Sequence, residues 1–160
     1  MNRRRQKKLT RGLVRAAMLG DEAEARRLLR AGADARRPDA QGTTPLYAAS
    51  VHGAAGIARM LLEAGAEPDA ESGHGSEGLP LCAAACWGHT ETVRVLLGHG
   101  ADPHIREDGG SGMSPLEWAL RGPYPETAEA LRNAGASVAG DRRPGVGSGP
   151  VAPGGSESAR

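Results

Sequence analysis

The sequence predicts an all-α solenoid in which four helix-loop-helix units stack side by side, with hairpin-like loops along one edge. Three observations carry this reading. Two blocks of residues recur in step along the 160-residue chain. Prolines and glycines fall where short helices would begin and end. Aromatic content is only 2%, with no Phe, so the chain must bury mostly Ala and Leu, which suits thin layers of closely packed helices rather than one round core.

The first block reads 42-GTTPLYAASVHG, 77-EGLPLCAAACWG and 112-GMSPLEWALRGP, with Pro45, Pro80 and Pro115 each 35 apart. The second reads 28-LLRAGAD, 61-LLEAGAE, 96-LLGHGAD and 131-LRNAGAS, its glycines Gly32, Gly65, Gly100 and Gly135 spaced 33, 35 and 35. Within one unit, Pro45 suits the first turn of a helix, where its missing N–H costs nothing. Leu46, Ala48 and Ala49 then form a short apolar helix that stops at Gly53. A second helix runs from about Ala55 to Ala64, with Ile57, Met60, Leu61 and Leu62 at helical spacing and Gly65 as its C-cap glycine. The Asp-, Gly- and Pro-rich residues that follow should turn back as a loop. Neither helix can bury its apolar face alone, so neighbouring units must stack.

The pattern resembles the ankyrin repeat: Thr-Pro-Leu-His opening the first helix, Gly-His between helices, paired leucines in the second, then Gly-Ala-Asp. Thr44-Pro45-Leu46 matches, with Tyr47 in the His place, and Gly88-His89 and Gly100-Ala101-Asp102 match fully. Leu79 and Cys82 depart from the motif, as do Ser114 and Glu117; the first unit lacks the proline motif yet keeps 13-LVRAAMLGD and 32-GAD. The resemblance covers about residues 9–138, in units of about 9–38, 39–71, 72–106 and 107–138. The 35-residue period exceeds the usual ~33, which places two extra residues in each of the loops 67–78 and 102–113. Arg27 and Arg132 stand where inner units carry Met60 and Val95 or Leu62 and Leu97, as polar capping units require.

Charge is uneven. Residues 1–37 carry twelve Arg or Lys against four Asp or Glu, and the remainder eight against fifteen. Residues 1–8 read as a solvated, disordered basic arm or a ragged extension of the first helix, and the Gly/Pro/Ser-rich residues 139–160 read as disordered. Arg15 and Asp21 break the apolar segment that a signal peptide would need, and no apolar run reaches the ~18 residues of a membrane span. Two cysteines four apart on a helix do not form a disulfide framework. These features point to a cytoplasmic, monomeric protein without a membrane partner.

Cys82, Cys86, His89, His99 and His104 crowd 23 residues in a set of zinc-ligand types. The repeat register accounts for them instead: Cys82 takes the motif's His slot and His104 a place where the family commonly has Asn. His99 should be exposed, and the resemblance implies that His89 hydrogen-bonds backbone near the helix–helix turn. No metal or cofactor is expected. The stretch 73-GHGSEG-78 fits Gly-x-Gly-x-x-Gly, but 67-EPDAES before it is no strand, so it reads as a flexible loop insertion. No catalytic constellation is present.

The resemblance further implies that the two residues before the inter-helix glycine face a concave groove: Met18-Leu19, Val51-His52, Cys86-Trp87 and Arg121-Gly122. An apolar stripe on such a row is the mark of a binding surface, and Trp is the residue most enriched at hot spots. Gln41, Thr43 and Met113 join it from the loop tips. Trp118 occupies an inner-helix position and reads as core. The expected function is non-catalytic protein–protein binding through groove and loop tips. The alternative is a nucleic-acid-associated regulator using the basic arm, which lacks aromatic residues for base stacking.

Overall fold

The computed structural model describes residues 2–138; Met1 and residues 139–160, including the segment expected to be disordered, lie outside the described residues. Eight α-helices follow one another: α1 (Arg3–Leu19), α2 (Glu22–Arg30), α3 (Pro45–Val51), α4 (Ala55–Glu63), α5 (Pro80–Cys86), α6 (Thr90–Gly98), α7 (Pro115–Arg121) and α8 (Pro125–Asn133). Each odd helix pairs with the even helix after it. The odd helices pack in series as an inner layer and the even ones as an outer layer. Among the described residues there is no strand; one isolated bridge joins Ser72 to Gly78.

The starts of the inner helices follow from local chemistry. Pro45, Pro80 and Pro115 each occupy the first turn. The Thr44 hydroxyl accepts from the Tyr47 N–H at 3.2 Å. Ser114 and Glu117 form a reciprocal capping box: the Ser114 N–H donates to Glu117 Oε2 at 2.7 Å, and the Glu117 N–H donates to Ser114 Oγ at 3.3 Å. Leu79, at the same place before α5, makes no side-chain cap bond, so this helix relies on its burial.

That burial runs in columns. Leu13, Leu46, Leu81 and Leu116 hold one slot of the inner helices, and Leu28, Leu61, Leu96 and Leu131 hold one slot of the outer helices; all eight are buried. Ala16, Ala49, Ala84 and Ala119 form a third buried column. A methyl-sized side chain at that slot lets adjacent inner helices approach closely, while each buried leucine contributes roughly 1.5–3 kcal/mol. The scarcity of aromatics thus matches a core whose layers are one side chain thick.

Adjacent units are also clasped at the inter-helix turns. Gly53 is left-handed, with φ 67°, and the His89 ring of the next unit lies against its Cα, where an added Cβ would stand 2.6 Å from Nδ1. The His89 Nε2–H donates to the Val51 carbonyl oxygen at 3.0 Å. His89 therefore bonds backbone as its motif implies, and does so across the unit boundary. Tyr124 occupies the corresponding place against Gly88, φ 68°.

Three expectations need correction. The basic residues Arg3–Lys8 are not a disordered arm but the first turns of α1, the extended-helix alternative. Asn2 caps that helix by accepting from the Arg4 N–H at 3.0 Å, and Gln6 Nε2–H donates to the Gly32 carbonyl at 2.8 Å. These bonds, together with the continuous helical backbone that leads into the buried part of α1, hold the segment helical. The loop 73–78 is a built turn rather than a flexible insertion: Ser72 is fully buried, its N–H donates to Gly78 O at 2.9 Å, and the Gly73 N–H donates to Gly42 O at 2.9 Å. A single 3-10 turn forms at Gly73–Gly75 and another, 35 residues on, at Asp108–Gly110. Trp118 is half-buried rather than core. It stands where Ala48 and Ala83 are covered by a following unit, and the last described unit has none.

Three predictions test these contacts. Gly53→Ala must hold a non-glycine residue in the left-handed region and displace His89, and should cost ~1–3 kcal/mol in urea unfolding. The double variant Gly53→Ala/His89→Ala should cost less than the two single changes added together. Ser114→Ala should cost ~1 kcal/mol through loss of the cap. The Glu117 carboxyl is held below its ordinary range, first by the Ser114 backbone N–H and further by Arg106. A carboxyl depressed by folding stabilises the protein above its unfolded pKa and loses that contribution as pH falls through its folded pKa. Wild type should therefore exceed Glu117→Gln in stability at neutral pH, and the difference should shrink steadily on acidification below the ordinary Glu range; a gap that widens in acid would contradict the capping box.

Candidate functional site

The inner helices α1, α3, α5 and α7 end one per unit, and the residues expected near those ends differ in exposure. Leu19 is 72% exposed, Trp87 58% and Met18 49%. His52 and Arg121 are exposed, while Val51 and Cys86 are half-buried between them. The exposed Trp follows from the helix geometry. Trp87 is the C-cap residue of α5, immediately after Cys86, so it stands past the last turn that packs against α3 and α7. More than half of the residue's surface faces solvent.

Arg121 is engaged within its own unit. Its guanidinium lies 5.9 Å above the Trp118 ring centroid, and Nη1 reaches Met113 Sδ at 3.8 Å. The Trp118 Nε1–H donates to Glu107 Oε2 at 2.9 Å. Arg121, Trp118, Met113 and Glu107 thus form one local cluster at the last unit, held by a cation–π contact and a charge-assisted hydrogen bond.

The loop-tip residues divide. Gln41 is exposed. The Thr43 hydroxyl instead donates to Glu77 Oε1 at 2.6 Å, and Met113 O accepts from the Cys82 thiol at 3.7 Å. Glu77 also accepts from Ser72 Oγ at 2.7 Å, and its carbonyl accepts from the Tyr47 hydroxyl at 2.6 Å. Both Thr43 and Met113 are therefore partly committed to joining units.

Sequence reasoning missed Leu120, which is 45% exposed. It occupies the slot of Ala85 and Ser50, buried in the inner units; a leucine at an otherwise small-residue slot of an end unit was the available signal. The parts played by Tyr47, Glu77 and Glu107 could not be read either, because they depend on how the lengthened loops fold back over the next unit.

The cysteines and histidines of the crowded stretch do not converge. Burial, then the nearby Glu107 charge, pushes both the Cys82 and Cys86 thiols up, so both stay protonated at neutral pH and are poor nucleophiles and metal ligands. His89 is taken by Val51, and His99, exposed, has Nδ1–H donating to Val95 O at 2.9 Å. Among the described residues, no group of three or more His, Cys, Asp or Glu is arranged to hold a metal ion. Nor is any described helix long and apolar enough to cross a membrane.

With this architecture in view, comparison with known proteins is direct. The family model described as ankyrin repeats (3 copies) matches residues 5–72 and again 70–140. The human protein named Ankyrin repeat and SOCS box protein 16 is 46% identical over 54 residues, which is 34% of this chain and 12% of that relative's length. The shared stretch is thus a small part of the larger protein. The match to the family model runs through nearly all of the paired helices described above, and the chain belongs to the ankyrin repeat family.

Proposed function

We propose that this chain is a non-catalytic protein-interaction module that receives one partner along the row of inner-helix ends, with Trp87 as the anchor and the loop tips as a rim. Ankyrin repeats are generally protein–protein interaction modules, and the observation that carries the reading to a site is the exposed indole of Trp87. Most of its surface meets water, and covering an aromatic of that size in a shaped pocket is among the largest single contributions an interface residue makes. Met18 and Leu19 extend the apolar surface at one end. His52 and Arg121 supply the polar groups that an interface rim carries.

The row is read as non-catalytic. Its one thiol, Cys86, is held protonated, and Arg121 is engaged with Trp118 and Met113. A reducing, cytoplasmic setting and a monomeric state agree with two unpaired cysteines.

Trp87→Ala separates this reading from a merely structural one. The variant should unfold within ~0.5 kcal/mol of wild type, as ordinary surface changes do. Affinity for the partner captured from the native cell should fall by ~2 kcal/mol or more, about thirtyfold. Trp118→Ala, by contrast, should lower stability measurably, because it removes both the Glu107 hydrogen bond and the Arg121 stack. A Trp87→Ala protein with a collapsed melting curve would mean that the indole serves the fold. Full binding by a well-folded variant would move the site to the loops.

A further inference from the structure

The first unit carries a second surface that the groove does not explain. A cavity of about 640 Å³ opens between α1 and the loop after α2, lined by Lys7, Lys8, Thr10, Arg11, Arg37 and Asp39, with Pro38 and Ala40. That volume lies within the range of small-molecule sites. Four cations face it, and none of the four belongs to an ion pair among the described residues. Arg37 is half-buried, a position in which a guanidinium ordinarily finds an acceptor. The one carboxylate present, Asp39, is committed to its own turn: Oδ1 accepts from the N–H groups of Gln41 at 2.9 Å and Thr43 at 3.1 Å.

Thr10 supplies an independent sign. It is 1% exposed, and its hydroxyl has no hydrogen-bond partner among the described residues, a cost that native structures rarely leave unexplained. Thr10 lies inside α1, on the stretch of that helix that lines the cavity. The side chains beside it there are Lys7, Lys8 and Arg11, all cationic, and the one carboxylate in the lining, Asp39, is the group already bound within its own turn.

We infer that the cavity is an oxyanion site, taking the phosphoryl groups of a multiply phosphorylated ligand through Lys7, Lys8, Arg11 and Arg37, with the Thr10 hydroxyl as a donor. Arg presents a planar fork to phosphoryl oxygens and Lys a compact charge, and the pair together suits a multiply charged group better than a single carboxylate. The ligand is either free in solution or the headgroup of a lipid. The site stands apart from the Trp87 row, so its failure would leave the interaction reading untouched.

Calorimetric titration of the full chain at about 0.15 M salt, where diffuse attraction is screened, tests this directly. Inorganic tripolyphosphate and phosphatidylcholine vesicles, with and without phosphatidylinositol bisphosphate, serve as probes. One-to-one binding of tripolyphosphate supports a free ligand, and binding only to the phosphorylated vesicles supports a lipid source. In either arm Lys7→Gln and Arg37→Gln should each weaken binding about tenfold or more. Arg27→Gln, whose guanidinium is already paired with Glu24, should change it less than about twofold. Thr10→Val should weaken binding while leaving the melting midpoint unchanged or higher, since it removes an unsatisfied hydroxyl and keeps the shape; a packing role alone would not move the affinity. The proposal is overturned if neither probe binds, or if Arg27→Gln is as damaging as Arg37→Gln. Vesicle binding that ignores the headgroup overturns it too, as does duplex DNA binding that is tight and indifferent to Lys7 and Arg37.

Discussion

A helix pair of this chain is a slab with two apolar faces and no interior of its own, and everything else in the structure depends on covering those faces with the next slab. The leucine columns Leu13–Leu46–Leu81–Leu116 and Leu28–Leu61–Leu96–Leu131 are the expression of that constraint. Because the slot between them is filled by alanine in every unit, the inner helices come close enough for their ends to form one continuous edge. The candidate interaction row is a by-product of the core: Trp87 is exposed because the stack ends its packing one residue earlier, at Cys86.

The boundaries between units are not equivalent. Units two and three are clasped by His89 over Gly53, and units three and four by Tyr124 over Gly88. At the first boundary the corresponding residue is Ala54, and nothing approaches the open side of Gly20. The first unit is instead braced within itself. The long α1 reaches past the start of the repeat, and its Arg5 and Gln6 side chains donate to the carbonyls of Ala31 and Gly32 at the end of α2. That extension also carries Lys7 and Lys8, two of the four cations of the oxyanion cavity, so the element that closes this end of the stack supplies part of its charge.

The repeat, the helix starts and the buried columns were legible because they recur: Pro45, Pro80 and Pro115 at a fixed interval say more together than any one of them. The Trp87 position was legible for the same reason. What could not be read was set by contacts without a counterpart in other units. Residues 3–8 have the composition of a solvated tail, and the bonds made by Asn2, Arg5 and Gln6 that hold them helical could not be read from it. Trp118 looked like core because Ala48 and Ala83 are core, yet no described unit covers it. Arg121 was placed by register alone, which gave no hint that its guanidinium would lie over the aromatic ring three residues earlier on its own helix. The Gly-rich stretch 73–78 gave no hint that Ser72 would be buried and would fasten the loop.

The central claim is that the units stand only by stacking, and amide hydrogen exchange read across one substitution tests it most directly. Leu81→Ala empties a fully buried slot in α5, at a cost of ~2–5 kcal/mol. If stacking carries the fold, the slowest amides of α3 should lose as much protection as those of α5, because both open in the same cooperative event. Loss confined to α5 and α6, with α3 as protected as before, would show that each helix pair holds itself together and would contradict the account.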